Sequence, residues 1–243
     1  MSDRHPSADP PGASARGAFI VLEGIDGSGT TTQLGALRAH FARLGTPAVF
    51  THEPSDGPVG MLIRLAFQRR LVGANFESHD PGERGRGVPD PFDRSALALL
   101  FAADRADHVA TQVRPNLERG RHVVCDRYLL STLAYQGLDF DAAWLVSINR
   151  PALVPDLTLF LDVPPDEAGE RLRRARWRKE LYEDAGEQRA VRDRYLEIIG
   201  RNLPAVGPVV VLDASRPADQ VTAEVTSRVD TLLAARRGED ADG

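Results

Sequence analysis

The sequence predicts an α/β fold, a doubly wound parallel sheet flanked by helices, and two observations carry that prediction. Short β-rich runs alternate with amphipathic stretches through most of the 243 residues, the pattern of strands joined by helical crossovers. A glycine-rich turn, Gly24-Ile25-Asp26-Gly27-Ser28-Gly29, separates the first apolar run from a helix start. At 42% hydrophobic and 27% charged residues the chain can bury one full core, so one domain with a small appended lid is the expectation.

The elements follow in order. The strand-like run 19–23 opens the fold, and a helix over 31–44 begins with Thr30-Thr31-Thr32 at its mouth. A strand over 48–51 and a helix over 59–69 come next. The segment 72–91, rich in Gly, Asp and Pro, is too long and polar for a simple turn and reads as a surface insertion or a mobile flap. A helix over 94–113 precedes a strand over 122–125. Short helical pieces run to 149, followed by a strand over 157–162 and an arginine-rich helix from 165 to about 178. A helix over 188–199, a strand over 209–213 and a helix over 218–235 complete the series. Residues 1–17 read as a disordered lead-in and 236–243 as a disordered tail, leaving a folded domain over 18–235 with a lid at about 165–184.

A net charge of −5 gives no overall attraction to phosphate backbones, which disfavours a general nucleic-acid or anionic-membrane role. No run reaches the length of a spanning helix, and the N-terminal stretch lacks the apolar region of a signal peptide, so a cytoplasmic protein is expected. The single cysteine, Cys125, excludes an intramolecular disulfide and reads as core. The histidines show no metal-ligand spacing. Lys179 is the only lysine, arginine supplying the other positive side chains.

The glycine turn nearly matches the phosphate-binding pattern G-x-x-x-x-G-K-[ST], whose amides approach phosphates, whose lysine reaches the β/γ oxygens and whose hydroxyl ligates Mg²⁺. Gly24, Gly29 and Thr31 fit; Thr30 stands where the lysine belongs. The ATP-binding candidates are therefore Gly24, Ile25, Asp26, Gly27, Ser28, Gly29, Thr30, Thr31 and Thr32, with Thr31 the metal ligand, in a P-loop NTPase-type sheet. A second motif, Cys125-Asp126-Arg127-Tyr128-Leu129-Leu130-Ser131-Thr132-Leu133-Ala134-Tyr135-Gln136-Gly137, follows a strand. It places a carboxylate and a guanidinium in the crevice where ligands bind such sheets, and arginine suits a bidentate hold on phosphate.

Together with Thr51-His52-Glu53-Pro54 and Leu100-Phe101-Ala102-Ala103-Asp104-Arg105, these motifs resemble the thymidylate kinase family, bacterial type, over about residues 18–233. The resemblance implies transfer of the γ-phosphate of ATP to dTMP with Mg²⁺, and a homodimer. It implies that Phe101 stacks on thymine, Arg105 bonds its edge and Arg64 lies close by. Thr132 and Gln136 would contact the base, Tyr135 would crowd the 2′ position, and Arg127 would grip the acceptor phosphate beside Asp126. Glu53 and Pro54 would line the acceptor site, and Asp26 would sit near the sugar hydroxyl and the metal shell. His52 stands where the bacterial pattern commonly has arginine.

The basic run Glu170-Arg171-Leu172-Arg173-Arg174-Ala175-Arg176-Trp177-Arg178-Lys179 occupies the family's lid. Residues 25–28 contain no cation, so a lid arginine, Arg171 or Arg176, is expected to replace part of the missing lysine's charge. Asp213-Ala214-Ser215-Arg216-Pro217 resembles the family's adenine-side loop, though it also reads as an ordinary helix cap. Asp26, Arg127, Arg171 and Arg176 are thus the catalytic candidates. Two alternatives stay open: a kinase for another deoxynucleoside monophosphate, and a paralogue that binds nucleotide without turning it over.

Overall fold

The computed structural model describes residues 16–68, 70–71, 92–175 and 185–241. Five parallel strands form one sheet in the order β2-β3-β1-β4-β5: β1 (Phe19–Glu23), β2 (Ala48–His52), β3 (His122–Asp126), β4 (Leu157–Asp162) and β5 (Val209–Asp213). Every residue of β1 is buried, as a central strand covered on both faces requires. Its register, Val21 beside Cys125 on one side and Thr158 on the other, centres the core on Phe19, Ile20, Val124, Leu159 and Phe160.

Helices α1 (Thr30–Leu44), α2 (Pro58–Phe67), α3 (Arg94–His108), α4 (Arg114–Glu118), α5 (Leu129–Tyr135), α6 (Ala142–Ile148), α7 (Pro165–Ala175), α8 (Ala185–Gly200) and α9 (Ala218–Ala241) connect and flank the strands. Local chemistry sets several ends. Gly45, at φ 61°, terminates α1, and the Asp93 carboxylate caps α3 through Ser95 N at 2.8 Å, neutralising amide donors that a helix start leaves over. From β1 the chain leaves for the edge strand β2, returns to β3, then crosses β1 to β4. The crevice created by this reversal opens at the carboxyl end of β1, where the 24–29 loop lies.

Three boundaries differ from expectation. The helix over 94–113 is α3, then a π turn over Val109–Val113 that runs on into α4. The folded body takes in Arg16 and Gly17, assigned to the lead-in: Gly17 N donates to Leu117 O at 2.9 Å. The last helix continues past 235 because Arg236 is anchored, donating to Asp156 at 3.0 Å and to Arg16 O at 2.7 Å. The 72–91 segment lies outside the described residues. Among those residues no helix is long and apolar enough to cross a membrane.

Candidate active site

The loop after β1 is shaped by glycines. Gly27 sits at φ 83°, and a Cβ there would lie 2.5 Å from the Ala168 carbonyl of α7; Gly29, at φ 99°, delivers the chain into α1 with no side chain capping the helix. The free amides of that helix start, with the positive end of its dipole, form an anion site. Ser28 Oγ is buried beneath the loop without a hydrogen-bond partner. Within the loop, the Ile25 side chain is buried in the hydrophobic core.

A cleft of about 910 Å³ spreads over this loop, lined by residues 26–33, Asp126, Arg127, Arg171, Leu172, 214–218 and Val221. The 213–217 segment is therefore one wall of the same cleft as the phosphate loop, and its cap is real as well, since the Asp213 carboxylate accepts from Ser215 N at 3.0 Å. Asp126, counted above with the acceptor residues, meets the phosphate loop: β3 lies beside β1 with Asp126 opposite Leu22, and Thr31 Oγ1 donates to Asp126 Oδ2 at 3.2 Å. Its other oxygen, Oδ1, is buried without a hydrogen-bond partner.

Arg127, Arg171 and Arg216 are the cations lining the cleft. From α7, Arg171 reaches across it, Nη2 donating to Glu167 Oε1 and to the Ala214 carbonyl, each at 2.7 Å. Arg127 occupies the left-handed region at φ 67°; its guanidinium pairs with Asp26 and donates to the Tyr135 hydroxyl at 3.2 Å. Arg176, like Lys179, lies outside the described residues.

A separate, buried inner network gathers other predicted residues. Arg105, 2% exposed, donates from Nη2 to Glu53 Oε2 at 2.7 Å and to Thr132 Oγ1 at 3.1 Å, and from Nη1 to Asn149. Its guanidinium lies 5.0 Å from the centre of the Tyr128 ring, and Nε is buried without a partner. Glu53, followed by a cis bond to Pro54, also meets His108 Nδ1 at 3.1 Å. Asp104 fastens this turn from α3, accepting from Ser55 N at 2.7 Å and Ser55 Oγ at 2.6 Å.

Arg64 donates to the Pro54 carbonyl at 2.7 Å. His52 turns its Nδ1 to that carbonyl at 2.8 Å. Phe101, partly buried, packs against Phe67 with ring centres 6.0 Å apart. Gln136 follows α5 in a 3₁₀ turn. The residues missed by sequence reading are His108 and Asn149. His108 sits one turn beyond Arg105 on α3, a spacing that places it on the same face. Asn149, at the end of α6, carries no local signal.

The division of labour is informative: a helix start with no side-chain cap shares one cleft with Arg127 and Arg171, and a separate polar network is buried in the protein. Cations and free helix amides around one cleft at the carboxyl end of a parallel sheet are the equipment that phosphoryl transfer needs, and they point to the class of P-loop phosphotransferases. Comparison with known proteins narrows that class. The thymidylate kinase family model matches residues 22–80 and 82–225. A protein from Thermococcus kodakarensis named "Probable thymidylate kinase" is 38% identical over 218 residues, covering 88% of this chain and 98% of its own. One of the same name from Pyrococcus abyssi is 42% identical over 188 residues, covering 75% and 83%. The chain belongs to the thymidylate kinase family. It is an ATP-dependent nucleoside monophosphate kinase that phosphorylates dTMP to dTDP.

Proposed function

We propose that the phosphate-loop amides over 27–31 hold the ATP phosphates, that Arg127 grips the phosphate of dTMP, and that Arg171 supplies charge in place of the lysine absent at Thr30. The observation that carries this reading is that Arg127 and Arg171 line the same cleft as the loop. Preorganised donors aimed at a transferring phosphoryl group are worth most where water is excluded. Helix α7, backed against Gly27, supplies that cover. Asp26 orients Arg127, and Arg176, on the lid, is a second candidate for donor charge.

On the acceptor side, Phe101 stacks on the thymine while Arg105, Thr132 and Gln136 read its edge, with Tyr135 against the sugar and Arg64, Glu53 and Pro54 forming the surrounding wall. The inner network supports this reading because it fixes Arg105, Glu53 and Thr132 relative to one another. Thr31 and Asp126 fit a Mg²⁺ site: a hydroxyl and a carboxylate already in contact, with one buried carboxylate oxygen unpartnered. Bound there, the ion would neutralise phosphate charge. The exposed Met61 and Phe67 of α2 and Leu99 of α3 support a homodimer, and we take the protein to act in the cytoplasm.

The test is a coupled ADP-release assay with a panel of deoxynucleoside monophosphates, run on the wild type and on Arg127→Ala. Preference for dTMP, with loss of dTMP kinetics in the variant, is expected. Equal use of several monophosphates, or an unimpaired variant, overturns the acceptor assignment.

A further inference from the structure

Glu23 closes β1 directly before the phosphate loop and is completely buried. A buried carboxylate needs a full set of donors to persist, and this one is met from two helices. Oε1 accepts from Tyr128 N at 2.9 Å and Ser131 N at 3.1 Å. Oε2 accepts from Ser131 Oγ and from the Tyr195 hydroxyl of α8 at 3.1 Å. Tyr195 and Ser131 are themselves 2.7 Å apart. Burial raises the Glu23 carboxyl pKa, against the opposing pull of Ser131 and Arg127.

The donor Tyr128 N belongs to the peptide that follows Arg127. Arg127 is one of two non-glycine residues with positive φ among those described, a conformation that persists only where its surroundings hold it. Three contacts do so: Arg127 N to Leu22 O at 2.8 Å, Cys125 Sγ to Arg127 O at 3.1 Å, and Tyr128 N to Glu23. Rotation of the 127–128 peptide would break the last two and free the backbone at Arg127 to leave its positive φ, the angle that sets the direction in which the side chain departs toward Asp26.

We propose that Glu23 is a positioning residue for the reaction, holding the 127–128 peptide so that Arg127 faces Asp26 and the acceptor phosphate. This rests on the acceptor reading of Arg127 given above, and the experiment separates the two. Steady-state kinetics are measured for Glu23→Gln, Arg127→Ala and the double variant, varying dTMP and ATP in turn. Glu23→Gln is expected to lower kcat/KM for dTMP by about tenfold, with KM for ATP within about twofold of wild type. In the Arg127→Ala background the same change should cost less than about twofold, since residues acting through one contact are non-additive.

A Glu23→Gln enzyme with normal dTMP kinetics beside an impaired Arg127→Ala overturns this proposal alone. An equal loss in both backgrounds also overturns it, because Glu23 would then act elsewhere. An unimpaired Arg127→Ala overturns the acceptor reading and this proposal with it. If Glu23→Gln does not fold, Ser131→Ala removes one donor and leaves the Ser131 amide in place; a dTMP-selective loss of about threefold supports the proposal, and wild-type kinetics overturn it.

Discussion

The inner network and the loop cleft hold their charges by opposite means. In the inner network the Arg105–Glu53 pair is 2% and 3% exposed, and each partner has further bonds to Thr132, Asn149 and His108. In the cleft the Arg171–Glu167 pair is 32% and 37% exposed and spans a single helical turn. A pair of the first kind is locked, because separating it would strand a charge away from water. A pair of the second kind is worth about 0.3–0.5 kcal/mol, so Arg171 can exchange Glu167 for a phosphate at little cost. The inner network is therefore fixed in the folded protein, while the cleft keeps an arginine able to change partners.

The largest effect should come from breaking the locked pair. Glu53→Gln leaves the Arg105 charge uncompensated, and a loss of about 3 kcal/mol of stability is expected from the urea midpoint. A loss below about 1 kcal/mol would show that Arg105 finds other compensation and would weaken the contrast. Next, Arg171→Ala should lower kcat by about 100-fold, the cost of removing one well-placed donor, with KM for dTMP little changed. Adding Thr30→Lys should return about tenfold of that loss yet change the otherwise wild-type enzyme by less than about threefold. Independent effects of the two substitutions would show that Arg171 does not stand in for the lysine.

Glu170→Gln provides the matching control, since it removes the exposed Arg174–Glu170 pair and should shift stability by less than about 0.5 kcal/mol. A shift as large as that of Glu53→Gln would erase the distinction between the regions.

The smallest effect belongs to the opposite end of the sheet. Burial, then Arg236 and Arg237, hold the His122 pKa below 6.5 despite Asp156. Its Nδ1 accepts from Ala18 N at 2.9 Å, so the folded state favours neutral imidazole. With the folded pKa below the unfolded one, this stabilisation is present above about pH 6.5 and is lost as pH falls through the lower value. His122→Asn, which offers an acceptor without titrating, should show a smaller drop in melting temperature between pH 7 and 5.5. An unchanged drop would place the titration elsewhere.

What was readable in the chain divides along the same line. The five strands and the phosphate loop follow from local pattern: β1, β4 and β5 have the bounds expected, and β2 and β3 each gain one residue. The loop's fit and its missing lysine are visible in eight consecutive residues, 24–31. The inner network was only half legible. Arg105 and Thr132 were named as base contacts and Glu53 as lining the acceptor site, but their bonds to one another join residues up to 52 positions apart, which no local pattern encodes. Asp126 was similarly seen as a strand-end carboxylate without its partner Thr31, because that contact depends on β3 lying beside β1. The extension of α9 escaped notice for the same reason, since Arg236 is held by Asp156 and Arg16 rather than by its own helix.

The seam between Gly27 and the Ala168 carbonyl sets a limit on redesign. At φ 83°, with an added first side-chain carbon falling 2.5 Å from the Ala168 carbonyl oxygen, position 27 cannot be given an arginine or a lysine without prising α7 from the loop. Anyone seeking to re-electrify this turn must work from position 30 or from the opposing helix, so the steric fit of one hydrogen atom dictates from which direction positive charge can enter.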